Sequence, residues 1–218
     1  DTDGEFMGID VEIATEALHR MGYEPEFKLI VWENKNKLLE DGELDCIWGC
    51  FSMNGREDKY LWAGPYLYSR QMVAVRMDSE IQKLKDLTGK MIAVQETSKA
   101  EEYFLRSDFE GIPDVSLVYC FSNMDEVFAA LRKNYVEAIC GHESALISFI
   151  NTAPDEYRLL EESFLYSALG VAFDIQYDEE FVEELVKTLV DMMNDGTTAA
   201  IVGKYGLDAE KSLGRGND

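Results

Sequence analysis

Strand-like and helix-like segments alternate along nearly the whole chain, and this limits the fold more than any single motif. In GIDVEIATEALHRMGY, Val11, Ala14, Leu18 and Met21 fall on one helical face, with Asp10 the expected N-cap and Gly22 the stop. PEFKLIVW then reads as a strand, NKNKLLEDG as a short helix ending at Gly42, and LDCIW as a buried strand. GPYLYSRQMVAVRM opens with a turn and continues as a long β-rich run. A second series interleaves the strands GKMIAVQ, VSLVYCF and VEAIC with the helices SKAEEYFLR, NMDEVFAALRKN and HESALISFIN. YSALGVAFDIQ reads as a further strand, followed by the helices DEEFVEELVKTLVDMMNDG and TTAAIVGKYG. Such alternation predicts an α/β fold with a mostly parallel sheet.

Two β/α series followed by a return strand predict two lobes. One comprises residues 1–71 and 172–218, the other 76–167, with crossings at 72–75 and 168–171. Both crossings are aliphatic and lack a Gly/Ser linker, which suits a hinge that absorbs rotation at a few element ends.

Composition narrows the function. The 218 residues are 46% hydrophobic, enough for one large core or two small ones. Acids number 43 against 20 Lys plus Arg, a formal charge of -23. Such a surface repels nucleic acid and anionic membranes, so neither is an expected partner. No run of ~18 apolar residues is present, and no signal peptide is visible, so a mature or trimmed chain is expected. Cys46 and Cys50 lie too far apart in a strand-like run to bridge, and Cys120 and Cys140 complete no CxxC or metal spacing, so free thiols are expected. There is no nucleophile elbow, phosphate loop or zinc spacing, which argues against an enzyme, a cofactor or a metal.

IWGCFSMNGREDKY then poses a chemical question, because an apolar run ends in small and polar residues and a single arginine. A guanidinium offers two parallel donors that match a carboxylate. In a chain this acidic, a local positive site is needed to admit an anionic group. Arg56 is therefore a candidate carboxylate binder; the alternative is a surface pair with Glu57 or Asp58.

Several segments together resemble the type II periplasmic solute-binding proteins, in particular the amino-acid-binding family of ABC importers. These are GEFMGIDVEIATEALHRMG, LLEDGELDCIWGCFSMNGRE, AGPYLYSRQMVAV, GKMIAVQETSKAEEYF, VEAICGHESAL and VDMMNDGTTAAIVGKYG, which match the family's motifs in order. The resemblance implies a two-lobed α/β fold with two hinge-crossing strands that closes around an amino acid or related carboxylate. It also implies an extracytoplasmic location, in the periplasm or as a cell-surface lipoprotein, a monomeric state and ABC transporter membrane subunits as partners. The same fold also serves as the ligand-sensing extracellular domain of membrane receptors, and a few relatives are dehydratases.

By this resemblance Arg56 pairs with the ligand's carboxylate. Trp32 forms an aromatic wall or packs in the core. Gly49, Cys50 and Ser52 supply backbone and hydroxyl contacts, with Met53 standing where the family carries Thr. In the second lobe, where the family shows Gly and then two Ser/Thr residues after VQ, this chain has Glu96, Thr97, Ser98 and Lys99: Ser98 keeps one hydroxyl, while Lys99 replaces the second and either enters the site or is solvated. His142 stands where the family has the Asp that receives the α-ammonium, so either Glu143 takes that role or the ligand lacks an α-amino group. The family's first strand, which precedes the opening glycine motif, does not occur in this sequence, so upstream residues are expected.

Overall fold

The computed structural model describes residues 6–106 and 111–214; the expected opening turn DTDGE and the end of the LGRGND tail lie outside them. The described chain divides into two compact units. The first contains residues 6–30, Lys35–Ser69 and 167–214; the second contains Val31–Asn34 and Arg70–Tyr166. The chain passes between them at 69/70 and 166/167, earlier than the crossings read from the sequence, and Val31–Asn34, read as part of the first lobe, group with the second.

In the first unit, β1 (Cys46–Ile47) pairs antiparallel with β7 (Leu165–Phe173), and β7 in turn neighbours β2 (Leu61–Arg76). Helices α1 (Ile9–Arg20), α6 (Glu179–Asn194) and α7 (Thr197–Lys204) cover these strands, and α2 (Lys35–Glu40) and α8 (Ala209–Ser212) complete the unit. Helix α6 shows how sequence produces this packing. Val182, Leu185, Leu189 and Met192 recur on one face and are buried, while the Asp178 side chain caps the N-terminus by accepting from the Glu180 and Phe181 amides. The shared core includes Ile13, Ala17, Tyr66, Val171 and Phe173. Helix α1 is N-capped by Gly8 rather than Asp10, and it buries Ile13, Ala14 and Ala17. The buried face is thus turned from the one expected, because the Asp10 carboxylate is held inward by other donors.

PEFKLIVW forms no strand; Leu29 is 87% exposed and Val31 53%. Its residues favour a ladder, but a ladder needs a neighbour, and none pairs with this segment among the described residues. Alternation of side chains alone does not make a strand.

In the second unit, β3 (Met91–Gln95) runs parallel to both β4 (Leu117–Phe121) and β5 (Ala138–His142). Strand β5 and the short β6 (Tyr157–Leu159), which the sequence reading missed, pair antiparallel with residues of β2. The strands are therefore mixed in direction rather than mostly parallel, because β2 and β7 carry the chain against the parallel set. Helix α3 (Lys99–Leu105) buries Ala100, Tyr103 and Phe104 on one face of this sheet, against Val73, Val94 and Cys140. Helices α4 (Met124–Arg132) and α5 (Glu143–Asn151) bury Val127, Leu131, Leu146 and Phe149 on the other, against Met72, Ala93 and Ile139. Both faces being covered explains why MIAVQ and AICGH read as nearly continuous apolar runs.

Candidate functional site

The wrapping of the second unit selects one end of its sheet. The chain leaves β3 through α3 on one face and leaves β5 through α5 on the other. Neighbouring parallel strands whose connections depart to opposite faces open a crevice at their carboxyl ends, the usual ligand position in open α/β sheets. Thr97, Ser98 and Lys99 follow β3, His142 ends β5 and Glu143 opens α5, so the topology brings these five candidates to one end.

Their chemistry differs from the sequence expectation. Lys99 is not solvated: it is 7% exposed, and its Nζ donates to Glu102 Oε2 at 2.7 Å. Glu102 also accepts from Arg106 Nη1 at 3.0 Å. The Ser98 hydroxyl caps α3 by accepting from the Glu101 amide at 3.2 Å, and the Glu101 carboxylate accepts from the Thr97 amide at 2.7 Å. Thr97 itself has a left-handed backbone, φ 55, uncommon for a β-branched residue.

Glu143 is held by Arg70, a residue the sequence reading passed over. Arg70 Nε donates to Glu143 Oε2 at 2.9 Å and Nη2 donates to Oε1, a two-pronged pair with the side chains 28% and 19% exposed. Beside it, His142 is the cross-strand partner of Gln71, whose amide nitrogen lies 2.9 and 3.1 Å from the two ring nitrogens. Gln71 is 1% exposed. A signal for Arg70 was available: YLYSRQMVAV places one cation inside an otherwise uncharged strand, where a partner is needed. Trp32 lies half-buried in a single 3₁₀ turn, Trp32–Asn34.

The first unit holds the remaining candidates on the stretch after β1. Cys50 follows Gly49 with a left-handed φ of 50, and its amide and thiol both point at Asp10 Oδ2, at 3.1 and 3.3 Å. Tyr66 Oη donates to Asp10 Oδ1 at 2.6 Å. Asp10 thus ties the start of α1 to β2 and to the turn that leads to Ser52. Ser52 is buried, bridges Leu169 of β7, and donates its hydroxyl to Asn54 Oδ1 at 3.2 Å. Arg56 Nη1 donates to the Ser52 carbonyl at 3.0 Å, and its guanidinium carbon lies 5.0 Å from the Phe51 ring centroid. The Trp62 indole donates to the Arg56 carbonyl at 3.1 Å, so both backbone and side chain of Arg56 are positioned. The structure brings Gly49, Cys50, Ser52 and Arg56 together on this one loop.

Burial raises the pKa of the Asp10 carboxyl, against the opposing effect of hydrogen bonds from Tyr66 and Cys50. An acid whose folded pKa is raised carries no penalty at low pH and a full one above that pKa. The Tyr66 bond reduces the penalty, so Tyr66→Phe should cost about 1–2 kcal/mol, and more at pH 7 than at pH 4. Urea unfolding at the two pH values checks this; an equal loss at both contradicts it. Burial also pushes the thiols of Cys46 and Cys120 up to about 12 and raises that of Cys140, which leaves these three poor nucleophiles.

The chain is thus two α/β units joined through β2 and β7, with polar side chains at strand ends in each. Residues 1–208 match the family of bacterial extracellular solute-binding proteins, family 3, and the chain belongs to that family. It is 25% identical over 168 residues to the glutamate-binding protein GluB of Corynebacterium efficiens, covering 73% of this chain and 56% of that protein. It is likewise 25% identical over 156 residues to the L-cystine-binding protein TcyA of Bacillus subtilis, covering 70% of this chain and 54% of that protein. The chain thus spans about half the length of these curated relatives. Among solved structures, Tv2483 bound to L-arginine superposes with a TM-score of 0.82 at 27% identity, covering 94% of this chain and 83% of that one. A Streptococcus pneumoniae ABC uptake transporter substrate-binding protein with bound histidine reaches a TM-score of 0.85 at 20% identity over 96% of this chain and 87% of that one, a likeness of fold. No described helix is long and apolar enough to cross a membrane.

Proposed function

We propose that this chain captures a small carboxylate-bearing solute outside the cytoplasm and presents it to the membrane subunits of an ABC importer, acting by binding without turnover. The observation that carries the reading is Arg56, a guanidinium fixed by the Ser52 carbonyl and the Phe51 ring on the loop after β1. A cation held in place loses little freedom on pairing with an anion, and its fork selects a planar carboxylate. Family membership supports solute capture, and relatives described as binding glutamate, cystine and arginine support an amino acid or a compound close to one. Gly49, Cys50, Ser52 and Arg56 are proposed as binding residues of the first unit, and Trp32, Thr97, Ser98, Lys99, His142 and Glu143 as binding residues of the second.

A thermal-shift screen of amino acids and small carboxylic acids tests the proposal, because a ligand that binds the native state raises the melting temperature. Saturating ligand at a hundred times Kd should stabilise by about 2.7 kcal/mol. Shifts confined to compounds with a carboxylate are expected. Shifts by sugars or amines alone would overturn it.

A further inference from the structure

Two pairs stand side by side at the carboxyl end of β5: Gln71 faces His142 across the strands, and Arg70 forms an ion pair with Glu143, the first residue of α5. An ammonium group entering a water-poor site needs a carboxylate whose charge and lone pairs are available to it. The acids nearest this end of β5 are engaged, while Glu96, which follows β3, continues the pairing with β4 on the side of β3 away from β5, its amide donating to the Phe121 carbonyl at 2.8 Å. Glu143 gives an oxygen to each of two Arg70 nitrogens, Glu102 serves Lys99 and Arg106, and Glu101 serves the Thr97 amide. The Arg70–Glu143 pair is neutral as a unit, and an ammonium approaching Glu143 would also meet the guanidinium. His142, half-buried beside the pair, is an imidazole, whose ring N–H suits a carbonyl or carboxylate oxygen. From this arrangement we infer that Arg70 is a specificity-determining residue: by holding Glu143 it makes the second unit blind to an α-ammonium, and the ligand class is a small carboxylic acid without an amino group.

This inference rests on the proposed carboxylate capture and departs from the amino acids of the relatives. It explains why an acid directly after His142 does not simply replace the ammonium-binding Asp that the family resemblance implies. It also gives Arg70 a role beyond neutralising Glu143.

The test uses matched probes that differ only at one carbon: L-alanine with pyruvate, L-leucine with 4-methyl-2-oxopentanoate, and L-glutamate with 2-oxoglutarate. Calorimetry on the whole chain should show the oxo acid of a binding pair at least tenfold tighter than its amino acid. Arg70→Gln, which releases Glu143, should improve binding of the amino acid at least tenfold, while Glu143→Gln should change both members of a pair alike. Circular dichroism confirms that each variant is folded, and the wild-type comparison stands on its own if one is not. If amino acids bind wild type tenfold better than their oxo acids, and Glu143→Gln weakens them selectively, the inference is wrong and carboxylate capture stands. If no probe of either kind binds wild type, carboxylate capture fails and this inference fails with it.

Discussion

Replacing Arg56 by alanine is expected to weaken binding of any carboxylate ligand by roughly 3 kcal/mol, more than a hundredfold in Kd. The size follows from the geometry. The guanidinium is already fixed by the Ser52 carbonyl at 3.0 Å and by the Phe51 ring, so the ligand meets a donor that needs little reordering. Alanine removes two charge-assisted donors together. Arg56→Lys should recover only part of the loss, since an ammonium keeps the charge and loses the fork. Because Arg56 also tethers its own loop, a melting temperature for each variant must accompany the titration. A folded Arg56→Ala protein that binds its carboxylate within threefold of wild type would remove Arg56 from the site.

The second large effect concerns stability. Phe173→Ala is expected to cost about 3–5 kcal/mol, measured by urea denaturation. Phe173 ends β7, is 1% exposed, and lies 4.8 Å from the Tyr177 ring centroid and 6.0 Å from that of Phe181. Its removal leaves a cavity bounded by a strand and by α6, elements that cannot easily close on it. A loss below 1 kcal/mol would mean that this part of the first core is far more adaptable than its packing indicates.

Much of the fold was legible because most elements state their own period. In α6, Val182, Leu185, Leu189 and Met192 repeat at helical spacing behind a capping Asp178, and β3 and β5 are short apolar runs between turns. What failed depended on neighbours. PEFKLIVW alternates like a strand but joins no ladder among the described residues, and β6 is too short to announce itself. The site divides in the same way. Arg56 stood out as an arginine at a strand end, whereas Glu143 and Lys99 could be placed only as residue types. Their partners Arg70 and Glu102 lie 73 and three residues away, and only register and burial showed that both charges are engaged. Asp10 was read as a cap because its position allows that; its true partners, Cys50 and Tyr66, come from elements 40 and 56 residues distant.

Native mass spectrometry of the freshly purified protein tests the central claim most directly. The predicted result is a one-to-one adduct whose accurate mass and fragmentation identify a small carboxylic acid, present on wild type and lost from Arg56→Ala. If the wild-type protein is instead stripped by dialysis, the adduct should return on adding that acid alone. An adduct without a carboxylate that survives Arg56→Ala would contradict the account.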